Sequence, residues 1–221
     1  MSFYDLDNES KLTRAQQLVA KDKNGAKQLE KVSEQSPGPV SDNELLARSL
    51  DYPNKFTATG GLDETLFQDA FTHGASAQRL IRGWEAHATE AHNRFEERAK
   101  ARREGTDGRE PNLINQYVGA FRMTAGELRA CKLDRDTGPR VRVYDAGEAS
   151  DELHAEIIVD DTGLNRPEKK ELRVRLMIIA QQQGLFVSPY LGAGDLSRAE
   201  GTQCTLHLCG EVVGQFERGD R

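Results

Sequence analysis

The stretch LHAEIIVDDTGLNRPEKKELRVRLMIIAQQQG, residues 153–184, decides how this chain folds. Residues 153–159 are mostly apolar and run into the turn Asp160-Asp161-Thr162-Gly163, which predicts a strand. Asn165 then stands where a helix N-cap is wanted, Pro167 fits the first turn and Gly184 the end, so a helix is predicted over 166–183. Its centre, Leu172-Arg173-Val174-Arg175-Leu176, alternates with period two and taken alone would suit a strand. Strong helix formers on both sides and the two end signals favour the helix. A strand feeding a helix that returns over it would turn Leu153, Ala155, Ile157 and Val159 toward Leu172, Leu176 and Ile179.

Working outward, alternating residues over 117–123, 128–132 and 140–144 predict more strands, separated by Gly-, Asp- and Pro-containing turns. Residues 185–188 and a hairpin of 203–208 with 211–216, joined at Cys209-Gly210, follow the helix. The run Gly105-Thr106-Asp107-Gly108-Arg109-Glu110-Pro111 marks a boundary, and ahead of it the period becomes helical. Ser41 and Glu44 have capping-box spacing before Leu45, Leu46 and Leu50, and a helix over 63–72 would present Leu66, Phe67, Ala70 and Phe71. A longer helix over 75–103 would align Leu80, Trp84, Ala88, Ala91, Phe95 and Ala99 on one face. At about 1.5 Å per residue it would form a rod of roughly 40 Å, suited to a hairpin, a bundle or a homo-oligomer.

Residues 10–34 carry only a thin apolar stripe, Leu12, Ala15, Val19, Ala26, Leu29 and Val32, broken at Lys23-Asn24-Gly25. This predicts a marginal helical arm that orders only against a partner or the body of the protein, with disorder at Ser36-Pro37-Gly38-Pro39. The expected fold class is α+β: an arm over 1–40, a helical region over 41–104 with one long helix, and a strand-rich module over 105–221 with an antiparallel-type sheet packed against one helix.

The 221 residues are enough to bury a real core, while the 37% hydrophobic content falls below the usual range of about 45–50%, partly because glycine is not counted. A net charge of -6 supplies no general field for nucleic acid or an anionic membrane. Three cysteines, Cys131, Cys204 and Cys209, argue for a reducing, cytosolic setting over a disulfide framework. The start of the chain lacks the pattern of a signal peptide, no apolar run approaches the roughly 18 residues of a membrane span, and no cofactor is implied.

Two stretches point toward specific chemistry. Ala70, Gly74, Ser76 and Leu80 have the spacing of a helix-turn-helix over 66–84, which would offer Gln78, Arg79 and Arg82 to DNA; Asp69 and His73 fall where that motif wants apolar side chains. His154-Ala155-Glu156 resembles the His-x-Glu signature of zinc deaminases, which would imply a metal-dependent hydrolase or deaminase. The Pro-Cys-x-x-Cys that completes that signature is missing, and the remaining candidate ligands are Cys204, His207 and Cys209. For a protein interface, the candidate anchors are Trp84 and Tyr190, residue types that dominate binding surfaces. With no complete catalytic constellation, the expectation is a non-catalytic, bacterial-type cytosolic regulator, adaptor or inhibitor that binds another macromolecule, most simply a protein. DNA binding and zinc chemistry are the alternatives.

Overall fold

The computed structural model describes residues 3–7, 10–52, 54–55, 62–106, 108, 116–190, 207–208 and 211–212. The fold is α+β. Strands β1 (Leu45–Tyr52), β2 (Ala75–Arg79), β3 (Gln116–Thr124), β4 (Val141–Asp145), β5 (His154–Val159) and β6 (Leu185–Val187) form one sheet in the order β4-β5-β2-β1-β3-β6. The helices are α1 (Arg14–Lys21), α2 (Trp84–Arg103), α3 (Ala125–Arg129) and α4 (Arg166–Gln182). A second, two-stranded sheet pairs β7 (His207–Leu208) with β8 (Glu211–Val212). The chain divides into two compact units. One takes Met1–Arg48, Glu64–Gly83 and Phe121–Gly184, and the other Ser49–Asp63, Trp84–Ala120 and Leu185–Arg221.

In the first unit, antiparallel pairing sets Val141 opposite Val159, Val143 and Ala75 opposite Ile157, and Ala77 opposite Ala155. Residues directly opposite share a face, so these small and branched side chains make one buried layer. Arg142 opposite Ile158, and Tyr144 and Ser76 opposite Glu156, make the other face. The N-terminal segment lies on that second face. Ala15, Leu18 and Val19 of α1 form a core with Tyr144 and Ile158, and Phe3, Tyr4, Leu6 and Val32 pack around it. Thr13 and Gln16 cap α1 reciprocally. The sequence stripe is therefore only half right: Ala15 and Val19 are buried with Leu18, whereas Leu12 and Leu29 are 51% and 63% exposed.

Buried arginines fasten the same segment. The Arg129 side chain donates to the carbonyls of Gln28, Val40 and Val143 at 3.0, 2.8 and 3.0 Å, to Gln28 Oε1 at 3.0 Å and to Asp42 at 2.6 Å. Arg79 pairs with Glu44 and donates to Ser36 Oγ at 3.1 Å and to the Gly38 carbonyl at 2.6 Å. Residues 36–39 are thus a bonded turn with Ser36 buried, where the composition predicted disorder. Guanidinium groups are seldom buried unless their donors are used, and here the acceptors come largely from the N-terminal segment.

Several predicted elements are corrected. Residues 45–52, expected to be helical after Ser41, form β1; Glu44 does reach the Ser41 amide, at 3.3 Å, but closes a turn instead of opening a helix. Residues 63–72 hold two short 3-10 turns, Glu64–Phe67 and Asp69–Phe71. Residues 75–79 are a strand, and Gly83 at φ +84° ends a further 3-10 turn, so the long helix starts at Trp84 and spans about 30 Å. Gly74, at φ +99°, sits so near β5 that an added Cβ would come within 2.9 Å of Ile158 Cδ1. The expected strand over 128–132 is instead covered by α3, capped by Thr124 and Glu127, and its continuation. The helix predicted over 166–183 is present, including the 172–176 segment, with Asn165 and Glu168 forming its capping box. Its buried side chains are Leu172, Leu176 and Ala180, and it packs against the Glu64–Phe67 turn and α3.

In the second unit, α2 turns Ala88, Ala91 and Ala99 inward, and Phe95 stacks on Tyr117 at 5.6 Å. Burial pushes the Tyr117 hydroxyl well above the ordinary tyrosine range, with nearby Arg94 acting in the opposite direction. β3 and β6 approach closely at Gly119, where a side chain would run into the Phe186 backbone, and the Ser188 amide donates to the Val118 carbonyl at 2.8 Å. No helix among the described residues is long and apolar enough to cross a membrane.

Candidate interaction surface

The apolar stripe predicted for the long helix survives from Trp84 onward and positions the site. Trp84 opens α2 half-buried, its ring 4.9 Å from Phe186 and 5.5 Å from His87. Two turns further along α2, His92 carries Tyr190: the rings stack with centroids 4.4 Å apart and planes 13° from parallel. Tyr190 Oη and Thr89 Oγ1 share a hydrogen bond of 2.8 Å, and the Tyr190 amide donates to Ser188 Oγ at 3.3 Å. Ser188 is itself buried. Tyr190 nevertheless stays 45% exposed. The two aromatic residues named from the sequence, far apart in the chain, are therefore both seated on α2, with eight residues at about 1.5 Å each, roughly 12 Å, between Trp84 and His92 along the axis. Thr89 and His92, which hold the tyrosine in place, carried no signal in the sequence; their spacing of three on one helical face is visible only once Tyr190 is known to lie over it.

An exposed tyrosine held by a stacked ring, a hydroxyl bond and a backbone bond keeps little rotamer freedom. Toward the end of α2 and just past it, the exposed residues Arg98, Lys100 and Arg103 are interspersed with Glu96, Glu97 and Glu104, so no strong field of one sign develops there. Lys100 and Glu104 lie 4.0 Å apart, and the Arg98 guanidinium sits over the Phe95 ring at 5.8 Å.

The residues proposed for DNA recognition lie in a different setting. No second helix exists over 75–82 to enter a groove, because those residues are β2 and a 3-10 turn. Gln78 is buried with its amide on Asp151 at 2.7 Å, and Arg79 is buried in the network described above. Arg82 is exposed and paired with Glu152. Of the proposed metal ligands, His154 Nε2 and Glu156 Oε1 lie 3.9 Å apart, and the Glu156 carboxylate is taken by the Arg14 guanidinium at 2.5 Å. Cys204 and Cys209 lie outside the described residues, and for His207 only its backbone place in β7 is described. Among the described residues no group of three or more His, Cys, Asp or Glu side chains is arranged to hold a metal ion. Comparison with protein-family models, with curated proteins and with solved structures finds no match for this chain.

Proposed function

We propose that this protein is a non-catalytic regulator, adaptor or inhibitor that binds another protein through the α2 surface, with Tyr190 as the anchoring side chain. The observation that carries the reading is the fixed yet exposed Tyr190 ring, stacked on His92 and bonded to Thr89. Exposed aromatic side chains of this kind supply a large apolar contact at small entropic cost, and they concentrate binding energy at protein interfaces. A protein partner suits the mixed charges of α2 and the net charge of -6 better than a polyanion does, since phosphate binding draws on a local excess of cations.

The test is affinity capture with the full chain from its native host, run side by side with Tyr190→Ala, Tyr190→Phe and Val174→Ala, the last an exposed apolar residue of α4. Tyr190→Phe keeps the stacked ring and loses only the hydroxyl bond. A protein retained by the wild type, Tyr190→Phe and Val174→Ala but lost with Tyr190→Ala supports the reading. Equal retention by all four contradicts it.

A further inference from the structure

A polar cleft of about 330 Å³ in the first unit is formed where the turn after α1 faces the loop entering β4. Lys23, Asn24, Gly25 and Gln28 line one side, and Arg140 and Arg142 stand on the other with Asp136 and Asp160. The two arginines are already engaged. Arg140 holds Asp136 through Nε at 2.9 Å and Nη2 at 2.8 Å, which keeps that carboxyl below the ordinary aspartate range, and Arg142 donates to Asp160 at 3.1 Å and to the Asp22 carbonyl. The Lys23 ammonium is exposed and has no ion pair among the described residues.

Gln28 is the informative side chain. Its Oε1 accepts from Arg129 Nε at 3.0 Å and from the Val143 amide at 3.2 Å. Two donors on that atom fix which end of the amide is oxygen, since a reversed amide would set N–H against N–H. The Nε2 donor must then point the other way, toward Gly25, where it lies 3.1 Å from the position a Cβ would take. Gln28 is only 9% exposed, and Nε2 has no acceptor among the described residues. With the rest of the side chain buried, this donor opens onto the cleft, free to take an acceptor that enters it, and glycine at position 25, in the left-handed region at φ +69°, keeps its approach clear.

We propose that this cleft binds a small molecule through a single oxyanion group, phosphoryl or carboxylate, which accepts from Gln28 Nε2 and is attracted by Lys23. Three cations and two carboxylates line the wall, and the Asp22 carboxylate lies 3.8 Å from Arg142, so the arginines are offset and Lys23 supplies the unpaired positive charge. The cleft belongs to the first unit and shares no residue with the α2 surface, which belongs to the second.

The test is a titration of the full-length, ¹⁵N-labelled protein with inorganic phosphate and, separately, with acetate, following the Gln28 side-chain amide and the Gly25 and Gly138 backbone amides. The expected result is a saturable shift at all three, with a dissociation constant on the order of millimolar. Stronger binding of phosphate assigns a phosphoryl ligand, and stronger binding of acetate assigns a carboxylate; either supports the site. Gln28→Glu retains an oxygen for Arg129 and Val143 while replacing the donor with a negative charge, and abolishes the shifts at Gly25 and Gly138. Lys23→Ala, at an exposed position, weakens binding about three- to tenfold and keeps the test standing whether or not the glutamate variant folds. No saturable shift with either ion, or affinity unchanged in Lys23→Ala, overturns the proposal.

Discussion

Replacing Leu18 by alanine separates two accounts of the first 40 residues. A marginal arm would lose local order and leave the rest of the protein unaffected. In the structure Leu18 is fully buried, in one core with Ala15, Tyr144 and Ile158. Removing a leucine side chain from such a site costs the lost transfer energy and the cavity left behind, about 3 kcal/mol. For a chain of this size each kcal/mol moves the melting temperature by about 2–4 °C, so the expected fall is about 6–12 °C. Leu12 and Leu29 lie on the same sequence stripe but are exposed, and their alanine variants are expected to stay within about 0.5 kcal/mol of wild type. Urea and thermal unfolding followed by far-ultraviolet circular dichroism measures all three. If Leu18→Ala leaves the midpoint unchanged, and only the exchange protection of 14–21 falls, the segment is not part of the core and the reasoning fails.

Arg129→Met removes the donors that satisfy the carbonyls of Gln28, Val40 and Val143 and is expected to cost about 3 kcal/mol in urea unfolding; Asp42 is largely exposed, so the loss comes from the stranded carbonyls, not from the ion pair. Asp136 is held below the ordinary aspartate range, first by the Arg140 hydrogen bond, so its contribution is present above the unfolded-state value near pH 4 and lost as pH falls through the lower folded value. Asp136→Asn should therefore be less stable than wild type at pH 7, with the gap closing toward pH 3, as read from urea midpoints at both. Burial raises the Cys131 thiol to about 11, so alkylation mapped by mass spectrometry at pH 7.5 should be slow at Cys131 in the native protein and fast in denaturant.

What could be read from the sequence was what local chemistry decides. Asn165, Pro167 and Glu168 specify the start of α4 by themselves, and β3, β4 and β5 carry the apolar alternation or density that strands need. β2 could not be read this way. Ala75-Ser76-Ala77-Gln78-Arg79 contains good helix formers, and it is a strand because β1 and β5 pair with it on either side. α3 does carry a local signal: Thr124 and Glu127 stand at capping-box spacing just ahead of residues 128–132, whose alternation alone predicts a strand. The buried arginines among the described residues, Arg48, Arg79, Arg102, Arg129 and Arg142, were hidden, since nothing local distinguishes a buried guanidinium from a solvated one. The same holds for the two proposed sites. Trp84 and Tyr190 stood out by residue type, but the seat made by Thr89 and His92 is tertiary. The cleft at Gln28 joins segments more than a hundred residues apart, and only the bonds from Arg129 and Val143 reveal which way its amide points.

The central claim, that a protein partner docks over Tyr190, is tested most directly by site-specific photo-crosslinking. A photoreactive phenylalanine analogue is placed at Tyr190 in the full chain, and for comparison at exposed Val174 on α4, and both proteins are irradiated in the native host. The account predicts a discrete protein adduct from position 190 and none from position 174. No adduct from 190, or the same adducts from both positions, would contradict it.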